Sequence, residues 1–334
     1  MQQSAVTVKG WADIPPAVLG RREHDDGKPS ITYRSAGDRY LLVEYGPMEF
    51  DLTLNFYVHS VEAKLEEVGL DGLVETSPGF RSMLVSYDAA TVKPTDLVRE
   101  LDAVHDDLPG VDGLVLPSRL FRLPACFDDS QSRQAVERYA RSIRPDAPNC
   151  VNDNNIDYTL QYNGLRDLDE LVEHVTATDL WTGFIGFFPG LPFMFPVDPR
   201  HVLFAPKYNP TRTWTAEGAI GLGGPCYSIY PVESPGGYQL IGRTLPIFDP
   251  QQRNPIFAED PIMVKPGDRI RFHQVSEDEL LDTFARVHTG EYEYQVEDGT
   301  LDVAAHLAWS AQHREEAEEW ARIRDSAAAV TEVP

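Results

Sequence analysis

The side chains best suited to chemistry are concentrated in residues 207–243, KYNPTRTWTAEGAIGLGGPCYSIYPVESPGGYQLIGR. Three cations in this stretch offer positive charge to an anionic group: Lys207, Arg212 and Arg243. Four further side chains offer directional hydrogen bonds: Tyr208, Asn209, Tyr227 and Tyr230. Charged and phenolic donors of this kind can orient a small polar substrate and stabilise negative charge that develops on it.

Glycine and proline make the same stretch rigid and irregular instead of helical. Glycine permits a positive φ and close approach of the backbone, whereas proline fixes φ. Turns of this composition can aim backbone N–H groups at an anion, and Gly221–Gly224 are the candidates, with Gly223 and Gly224 as contacts to substrate. The combination predicts a pocket for a small planar substrate. A second interpretation stays open, in which SPGG is a plain hairpin turn and the tyrosines belong to the core of a barrel.

The elements that must position this stretch begin after residues 1–29, which we expect to form a loose arm because they show no hydrophobic period. The hydrophobic periods and turn residues of 30–116 predict the element order β-β-α-β-β-α. That order is typical of a small α+β domain with its helices on one face of an antiparallel sheet.

The second half of the chain predicts a different architecture. Residues 117–275 begin with a strand and two helical segments and continue as short β-branched and aromatic runs broken by Gly and Pro. Such runs favour a β-barrel or a closed sandwich. Residues 276–334 return to helical periodicity and predict a C-terminal helical tail. The expected fold class is therefore α+β.

Composition excludes several functions. The formal charge is -24, from 53 Asp+Glu and 29 Lys+Arg, which argues against a nucleic-acid-binding surface.

Motifs of common catalytic sites are missing from the sequence: G-x-x-x-x-G-K-[ST], G-x-S-x-G and H-E-x-x-H. Its nine histidines are scattered, so no metal site is expected. Its three cysteines are far apart and are expected to be reduced. No apolar run reaches eighteen residues, and we expect a cytoplasmic protein without membrane contact.

Residues 183–249 carry the segments GFFPG, VDPRH, KYNPTRTWT, IGLGG and IYPVESPGGYQLIGRT. These segments resemble the allophanate hydrolase subunit 1 family, whose fold is cyclophilin-like. Earlier segments, among them AGDRYLLVEYG, ETSPGFRSMLVSYD and DAPNCVNDNNIDY, are similar to the same region of urea carboxylase and urea amidolyase. The resemblance extends over nearly the whole chain from Ser30.

The resemblance implies the C-terminal half of a biotin-dependent carboxyltransferase, which moves a carboxyl group from carboxybiotin to a urea nitrogen. The implied partners are the other carboxyltransferase half, which is similar to allophanate hydrolase subunit 2, a biotin carboxylase and a separate biotin carrier. In this setting Arg212, Arg243 and the Gly221–Gly224 amides are candidates for holding the ureido oxyanion. Asn209, Tyr208 and Tyr230 are candidates for orienting the substrate.

One departure from the urea-type pattern leaves the substrate open. The segment IGFFPGLPFMFP stands before VDPRH. It is compatible with two interpretations: a more apolar pocket wall, or a group of core aromatic residues, formed in either case by Phe187, Phe188, Phe193, Met194 and Phe195. Urea, guanidine, a substituted urea, a lactam and a larger amide all remain candidate substrates. Two alternative functions also remain: a regulatory binding protein that inhibits a histidine kinase, and a component of a 5-oxoprolinase complex.

Overall fold

The structure is a computed structural model that describes residues 17–334. The chain divides into two compact units, one ending at Leu114 and the other running from Val115 to Pro334. The strands are, in chain order, β1 (Val18–Arg22), β2 (Ile31–Ser35), β3 (Tyr40–Tyr45), β4 (Leu73–Pro78), β5 (Ser82–Tyr87), β6 (Val115–Pro117), β7 (Leu120–Phe127), β8 (Leu180–Ile185), β9 (Pro192–Pro196), β10 (Ala219–Gly223), β11 (Cys226–Ile229), β12 (Gln239–Thr244), β13 (Arg269–Gln274), β14 (Gln295–Glu297) and β15 (Thr300–Asp302). The helices are α1 (Leu52–Val68), α2 (Pro94–Asp107), α3 (Ser130–Ser142), α4 (Ile156–Asn163), α5 (Leu168–Thr176), α6 (Glu277–Thr289), α7 (Val303–Gln312) and α8 (Arg314–Ala328).

The first unit contains an antiparallel sheet in the order β1-β2-β3-β5-β4, with helices α1 and α2. The element order from β2 to α2 is the β-β-α-β-β-α that the sequence predicts. Helix α1 begins at Asp51, whose carboxylate accepts a hydrogen bond from the Thr53 amide, and it ends at Gly69 with a left-handed φ of 63°. Both ends follow the usual preferences for helix caps.

The prediction that residues 1–29 form a loose arm is wrong in its second part. Residues 1–16 lie outside the described residues, but residues 18–22 form β1 and pair with β2. Five residues with two arginines and a glycine carry too little hydrophobic pattern to be recognised as a strand. The backbone N–H and C=O groups of a sheet edge favour such pairing whatever the side chains are.

The core of the first unit holds a buried histidine between two tyrosine hydroxyls. Nδ1 of His105 lies 3.0 Å from the Tyr33 hydroxyl, and its Nε2 lies 3.1 Å from the Tyr45 hydroxyl. The Tyr33 hydroxyl also donates to Asp102 at 2.7 Å. Burial lowers the pKa of His105 to about 3. The imidazole is therefore neutral at neutral pH and serves as a hydrogen-bonding element of the core.

The second unit is built around a closed seven-stranded β-barrel in the order β12-β10-β11-β9-β8-β13-β7, and pairing of β12 with β7 closes it. Strand β7 is long enough to pair with β12 near its end and with β14 near its start. It runs parallel to β13, whereas the other barrel pairs are antiparallel. This barrel confirms the predicted α+β class and the predicted closed β architecture.

Side chains alternate between the inside and the outside of the barrel along β10 and β11. Ile220, Leu222, Tyr227 and Ile229 belong to the main hydrophobic core. Since successive residues of a strand point to opposite faces, the intervening Gly221, Gly223, Cys226 and Ser228 are assigned to the outer face. This alternation decides which residues of the glycine-rich segment can line an external site.

The C-terminal segment is mainly helical, as the sequence predicts, but it also contains the short strands β14 and β15. Trp320 of α8 packs partly buried against the barrel core, and its indole Nε1 donates to the Val202 carbonyl at 2.9 Å. Among residues 17–334, no helix combines the length and the apolar character that a bilayer crossing requires.

The buried His105 predicts a specific dependence of stability on pH. The unfolded imidazole binds a proton near pH 6.5 and the folded one only near pH 3, so its contribution is complete above pH 6.5 and is lost as the pH falls. Exchange of His105→Gln removes this titration. The free energy of unfolding should then fall less steeply between pH 6 and pH 4, by up to about 1.4 kcal/mol per pH unit.

The measurement is urea unfolding of the full chain by circular dichroism at several pH values. His273→Gln is the matched control, because His273 is exposed at the end of β13, and it should keep the wild-type slope. A wild-type slope in His105→Gln would contradict the assignment of a neutral core imidazole.

Candidate functional site

The outer face of the barrel carries two tyrosine rings laid against glycines. A Cβ on Gly223 would stand 2.3 Å from Cδ1 of Tyr238, and one on Gly221 would stand 2.8 Å from Cβ of the same residue. A Cβ on Gly236 would stand 2.3 Å from the hydroxyl oxygen of Tyr230. Real Cβ contacts do not come this close. The glycines are therefore needed because each leaves the space that a ring occupies.

Beside these rings lies a cavity of about 140 Å³. Its walls come from the loop before β9, strand β9, the loop before β10, strand β11 and the segment between β11 and β12. The lining residues are Phe187, Leu191, Phe193, Lys207, Thr211, Ser228, Tyr230, Gly236, Gly237 and Tyr238. We call this the tyrosine cavity. It brings together two of the predicted site residues, Lys207 and Tyr230, with the SPGG turn.

Lys207 is the charged group among the described residues that line the tyrosine cavity. Its ammonium lies 5.3 Å from the centre of the Tyr238 ring, a distance at which a cation is attracted to the ring face. The side chain is exposed, and no ion pair joins it to any residue of the described part of the chain. Several other cations of the second unit are paired, among them Arg200 with Asp198 and Arg253 with Asp249. Lys207 is thus available to a bound anion.

Strand register places Tyr227 and Ser228 on opposite faces. Tyr227 is fully buried in the barrel core, so the prediction that it contacts substrate is at odds with its position. Its neighbour Ser228 lines the tyrosine cavity. The Ser228 hydroxyl is buried and forms no well-aligned hydrogen bond with a described residue, although it lies close enough to the Tyr238 phenol to affect the pKa of that phenol.

Burial raises the pKa values of Tyr238, which lines the cavity, and of Cys226 on the same outer face. The pKa of Tyr238 is far above its ordinary value, and the pKa of the Cys226 thiol is about 12, in both cases chiefly because the charged form would be desolvated. Both groups are therefore protonated at neutral pH. They offer hydrogen-bond donors and not a nucleophilic thiolate or phenolate.

Arg212 lies behind the cavity wall and does not line it. One guanidinium nitrogen donates to the Tyr238 carbonyl at 2.6 Å, and another donates to the Thr215 hydroxyl at 3.2 Å. Its backbone pairs with Gly236 in both directions, at 2.9 and 3.1 Å. Only 1 % of the residue is exposed. The structure therefore makes Arg212 a positioning residue that fixes the turn before β12, in contrast to its predicted role in holding the ureido oxyanion.

Tyr208 extends this buried support. The Arg212 guanidinium lies 4.4 Å above its ring, and its hydroxyl donates to Oδ1 of Asn155 at 2.9 Å. The same Oδ1 accepts from the Leu240 amide at 2.8 Å. Because only 3 % of Tyr208 is exposed, the predicted role in orienting substrate is replaced by one of holding the 207–212 loop to β12.

Two asparagines that the sequence prediction did not include complete this buried support. We call the clamp the set of buried hydrogen bonds that hold the 207–212 loop to β12. Asn149 donates to the Gln239 side chain at 3.0 Å, and Gln239 donates to the Pro206 carbonyl at 2.7 Å. Asn155 donates to the Asn149 carbonyl at 2.7 Å. The signal in the sequence is the asparagine-rich segment DAPNCVNDNN, whose amides suit buried loop closure because each supplies donors and an acceptor.

The other predicted catalytic residues do not reach the tyrosine cavity. Asn209 is exposed, and its carbonyl accepts a hydrogen bond from Arg144 at 2.9 Å. Arg243 lies 4.3 Å above the Phe284 ring of α6, and its Nε donates to the Glu217 carbonyl at 2.7 Å. The structure therefore does not gather Asn209, Arg212 and Arg243 around this cavity.

The glycine amides are also engaged. The Gly224 N–H donates to the Ala205 carbonyl at 2.6 Å, and the Gly224 carbonyl accepts from the Ala205 amide at 3.1 Å. Gly221 and Gly223 lie in the ladder between β10 and β11. The expected oxyanion donors at Gly221–Gly224 are thus largely used by the sheet. Gly221 and Gly223 are needed because they lack a side chain, whereas Gly224 has a positive φ of 58°.

The predicted apolar wall divides into two parts. Phe187 and Phe193 line the tyrosine cavity, and Phe188 packs against the neighbouring outer cluster. Phe193 is stacked on Phe184, with ring centres 4.5 Å apart. Met194 points into the barrel core and Phe195 is buried, so neither lines the cavity.

A second cavity, of about 340 Å³, lies between β9, β13 and α7. It contains charged groups that already have partners: Asp179 with Arg271 at 2.8 Å and Asp198 with Arg200 at 2.8 Å. The Asp302 carboxylate caps α7. The tyrosine cavity is the stronger candidate for substrate binding because its cation is unpaired among the described residues.

Comparison with known proteins gives a consistent result. Residues 31–258 match the family described as carboxyltransferase domain, subdomain C and D. The urea amidolyase of Lachancea kluyveri is 36% identical over 315 residues, which cover 94% of this chain and 17% of that protein. The crystal structure of Kluyveromyces lactis urea carboxylase superimposes with a TM-score of 0.84 and 31% identity, over 98% of this chain and 30% of that one.

A shorter relative is also similar. A 5-oxoprolinase component of Bacillus subtilis is 26% identical over 250 residues, covering 72% of this chain and 91% of that protein. In contrast, the chain spans less than a fifth of the length of the urea amidolyases that it matches, 17% and 18%. The resemblance seen in the sequence motifs is confirmed at the level of the family.

The packing of Tyr238 on Gly223 predicts a sharp response to one methyl group. Gly223→Ala should cost about 1–3 kcal/mol of unfolding free energy, because the ring must leave its place. Gly186→Ala is the control, since its Cβ would meet only side-chain carbons at 3.7 Å and beyond; its effect should stay within about 0.5 kcal/mol. Denaturant unfolding measures both. Equal stability of the two variants would refute the close approach.

The buried position of Arg212 predicts that lysine cannot replace it. Arg212→Lys keeps the charge but cannot reach both acceptors and cover the Tyr208 ring, so the cost should be about 2–3 kcal/mol. Denaturant unfolding is again the measurement. Arg138→Lys is the control, because Arg138 also stacks on an aromatic ring, that of Trp214, but is exposed. A variant Arg212→Lys as stable as the wild type would show that the clamp is not needed for folding.

Proposed function

Because this chain belongs to the family of carboxyltransferase domains, subdomain C and D, we propose that it binds the acceptor substrate of a biotin-dependent carboxyl transfer to a nitrogen atom. The acceptor is urea or a urea-like or amide compound, and the tyrosine cavity is its site. The single observation that carries this proposal is an external cavity that combines aromatic walls, buried hydroxyls and an unpaired cation.

The lining groups suit a planar nitrogen compound. The rings of Tyr230 and Tyr238 give a flat apolar surface, and the Ser228 and Tyr238 hydroxyls supply donors or acceptors to a carbonyl or an N–H group. Lys207 places a positive charge at the edge of this surface. These groups bind and orient a substrate, which is the larger part of what such a site must do.

The carboxyl donor is less well matched by this cavity. Carboxybiotin, when bound, supplies an activated carboxyl group. The residues predicted to hold its ureido oxygen are already engaged: Arg212 with the Tyr238 carbonyl, Arg243 with the Glu217 carbonyl and Gly224 with Ala205. The tyrosine cavity therefore does not fit a complete donor site, and we assign to this chain the acceptor side of the reaction.

This division requires partners. We propose that the other carboxyltransferase half completes the donor site and that a biotin carboxylase and a biotin carrier deliver the carboxyl group. Two named relatives, urea amidolyase and urea carboxylase, are longer than this chain and include a region similar to it. Inhibition of a histidine kinase stays an alternative prediction, as does a cytoplasmic location.

The second candidate function is that of a component of a 5-oxoprolinase. The observation that favours it is one of size, because the match covers 91% of the 5-oxoprolinase component of Bacillus subtilis. ATP-dependent opening of 5-oxoproline by a complex containing this chain would support this candidate, and carboxylation of a urea-like compound without it would support the first.

Reconstitution tests the proposed function. The full chain is combined with the other carboxyltransferase half, biotin carboxylase, biotinylated carrier, ATP and labelled bicarbonate, and transfer of label to urea, phenylurea and 4-ureidobenzoate is measured. We expect transfer to at least one of these acceptors, and none without this chain. Thr211→Trp should reduce transfer at least tenfold, because Thr211 lines the tyrosine cavity and an indole there occludes it.

Thr213→Trp is the matched control. Thr213 is an exposed threonine of the same loop and is not part of the cavity lining, so this variant should transfer label at the wild-type rate. Normal transfer by Thr211→Trp would remove the tyrosine cavity from the proposal. Transfer that proceeds without this chain would remove the chain itself.

A further inference from the structure

The chemistry of the tyrosine cavity differs from what urea alone requires. Urea is small and polar on every edge, so a matching site would surround it with hydrogen-bonding groups. Here Phe187, Leu191 and Phe193 form an apolar wall opposite the two tyrosines. Burial of such a wall against a ligand is favourable only if the ligand brings apolar surface of its own.

The wall is built from the β8–β9 connection and the start of β9, and one of its aromatic rings stays in solvent. Phe187 is 78% exposed and has a φ of 64°, which is uncommon for a residue with a bulky side chain. Phe193 is held in place by stacking on Phe184 and by an edge contact with Tyr238, at 6.4 Å between ring centres. A fixed ring on β9 and an exposed ring on the loop before it give a ligand an apolar surface that is ready before binding.

The electrostatic setting of Lys207 points to an anionic ligand. The chain carries a formal charge of -24, so an anion is repelled by the protein as a whole and needs a local cation to bind. In the same unit Lys265 pairs with Asp260, and in the second cavity Arg271 pairs with Asp179. Lys207 lies at a cavity and has no ion-pair partner among the described residues.

Building on the proposed function, we infer that the acceptor is an anionic ureido or amide compound with an apolar substituent, whose carboxylate binds Lys207 and whose flat body packs against Phe193 and Tyr238. The ureido or amide group then lies near the hydroxyls of Ser228 and Tyr230. Urea itself fills neither the apolar wall nor the cationic edge, so it binds weakly or not at all.

Binding to the purified full chain tests this inference by calorimetry, with four probes: 4-ureidobenzoate, phenylurea, urea and 5-oxoproline. We expect 4-ureidobenzoate to bind about tenfold more tightly than phenylurea, urea to give no measurable heat, and 5-oxoproline to bind more weakly than 4-ureidobenzoate. Tighter binding of urea or of 5-oxoproline than of 4-ureidobenzoate would overturn the inference.

Two variants assign the contacts. Lys207→Met should remove the tenfold preference for 4-ureidobenzoate and leave the affinity for phenylurea unchanged. Lys93→Met removes one exposed lysine of the first unit and is the charge-matched control; it should leave both affinities unchanged.

Phe187→Ala tests the apolar wall. It should weaken the binding of 4-ureidobenzoate and of phenylurea several-fold. Because Phe187 is largely exposed, the variant should fold normally. Wild-type affinities in Lys207→Met or in Phe187→Ala would contradict the assigned contacts.

The outcomes separate this inference from the proposed function. If the binding pattern holds but the reconstituted complex transfers label to no acceptor, the proposed function fails and the assignment of the cavity stands. If the complex transfers label to urea while 4-ureidobenzoate does not bind, the substrate class fails and the proposed function stands.

Discussion

The missing side chains of Gly221 and Gly223 are the constraint on which the site depends. They lie on the outer face of a barrel strand whose inner face carries Ile220 and Leu222, so one strand serves the core and the site at the same time. The Tyr238 ring occupies the space that a Cβ would take. From that position it meets Lys207 on its face and Phe193 at its edge. One ring thus links the sheet, the cation and the apolar wall.

Buried polar groups keep this arrangement in place. The Tyr238 carbonyl is held by Arg212, and the neighbouring Leu240 amide is held by Asn155. Each of these side chains is almost fully buried, and each contacts the Tyr208 side chain as well. Burial of a cation is costly unless its hydrogen bonds are made. Two nitrogens of the Arg212 guanidinium make such bonds, its buried Nε has no partner among the described residues, and the contact with the Tyr208 ring adds a cation–π attraction. The arrangement explains why the asparagine-rich segment DAPNCVNDNN supports the site from behind instead of forming its surface.

The fold could be predicted from the sequence to a large extent. Hydrophobic periods and turn residues predicted the β-β-α-β-β-α order, and the change in composition predicted the closed β architecture. Strand β1 was missed because its five residues carry no clear period. Pairing along a sheet edge supplies the missing information, and it depends on contacts with residues distant in the sequence.

The site could be predicted only in part. The segment was right, and Lys207 and Tyr230 lie at the cavity, because residue types indicate chemistry. The residue types do not show toward which face of a strand each side chain points. Tyr227 points inward and Ser228 outward, which follows once the glycines of β10 are placed outside and the pairing of Gly221 with Ser228 is known. The alternation of side chains between the two faces of β11 was therefore the signal that distinguishes Tyr227 from Ser228. Arg212 could not have been placed without the tertiary contacts that bury it.

The most direct measurement is a crystal structure of the chain with 4-ureidobenzoate bound. Ligand density is expected against Phe193 and Tyr238, with the carboxylate within hydrogen-bonding distance of the Lys207 ammonium. Density in the cavity between β9, β13 and α7, with the tyrosine cavity empty, would contradict it.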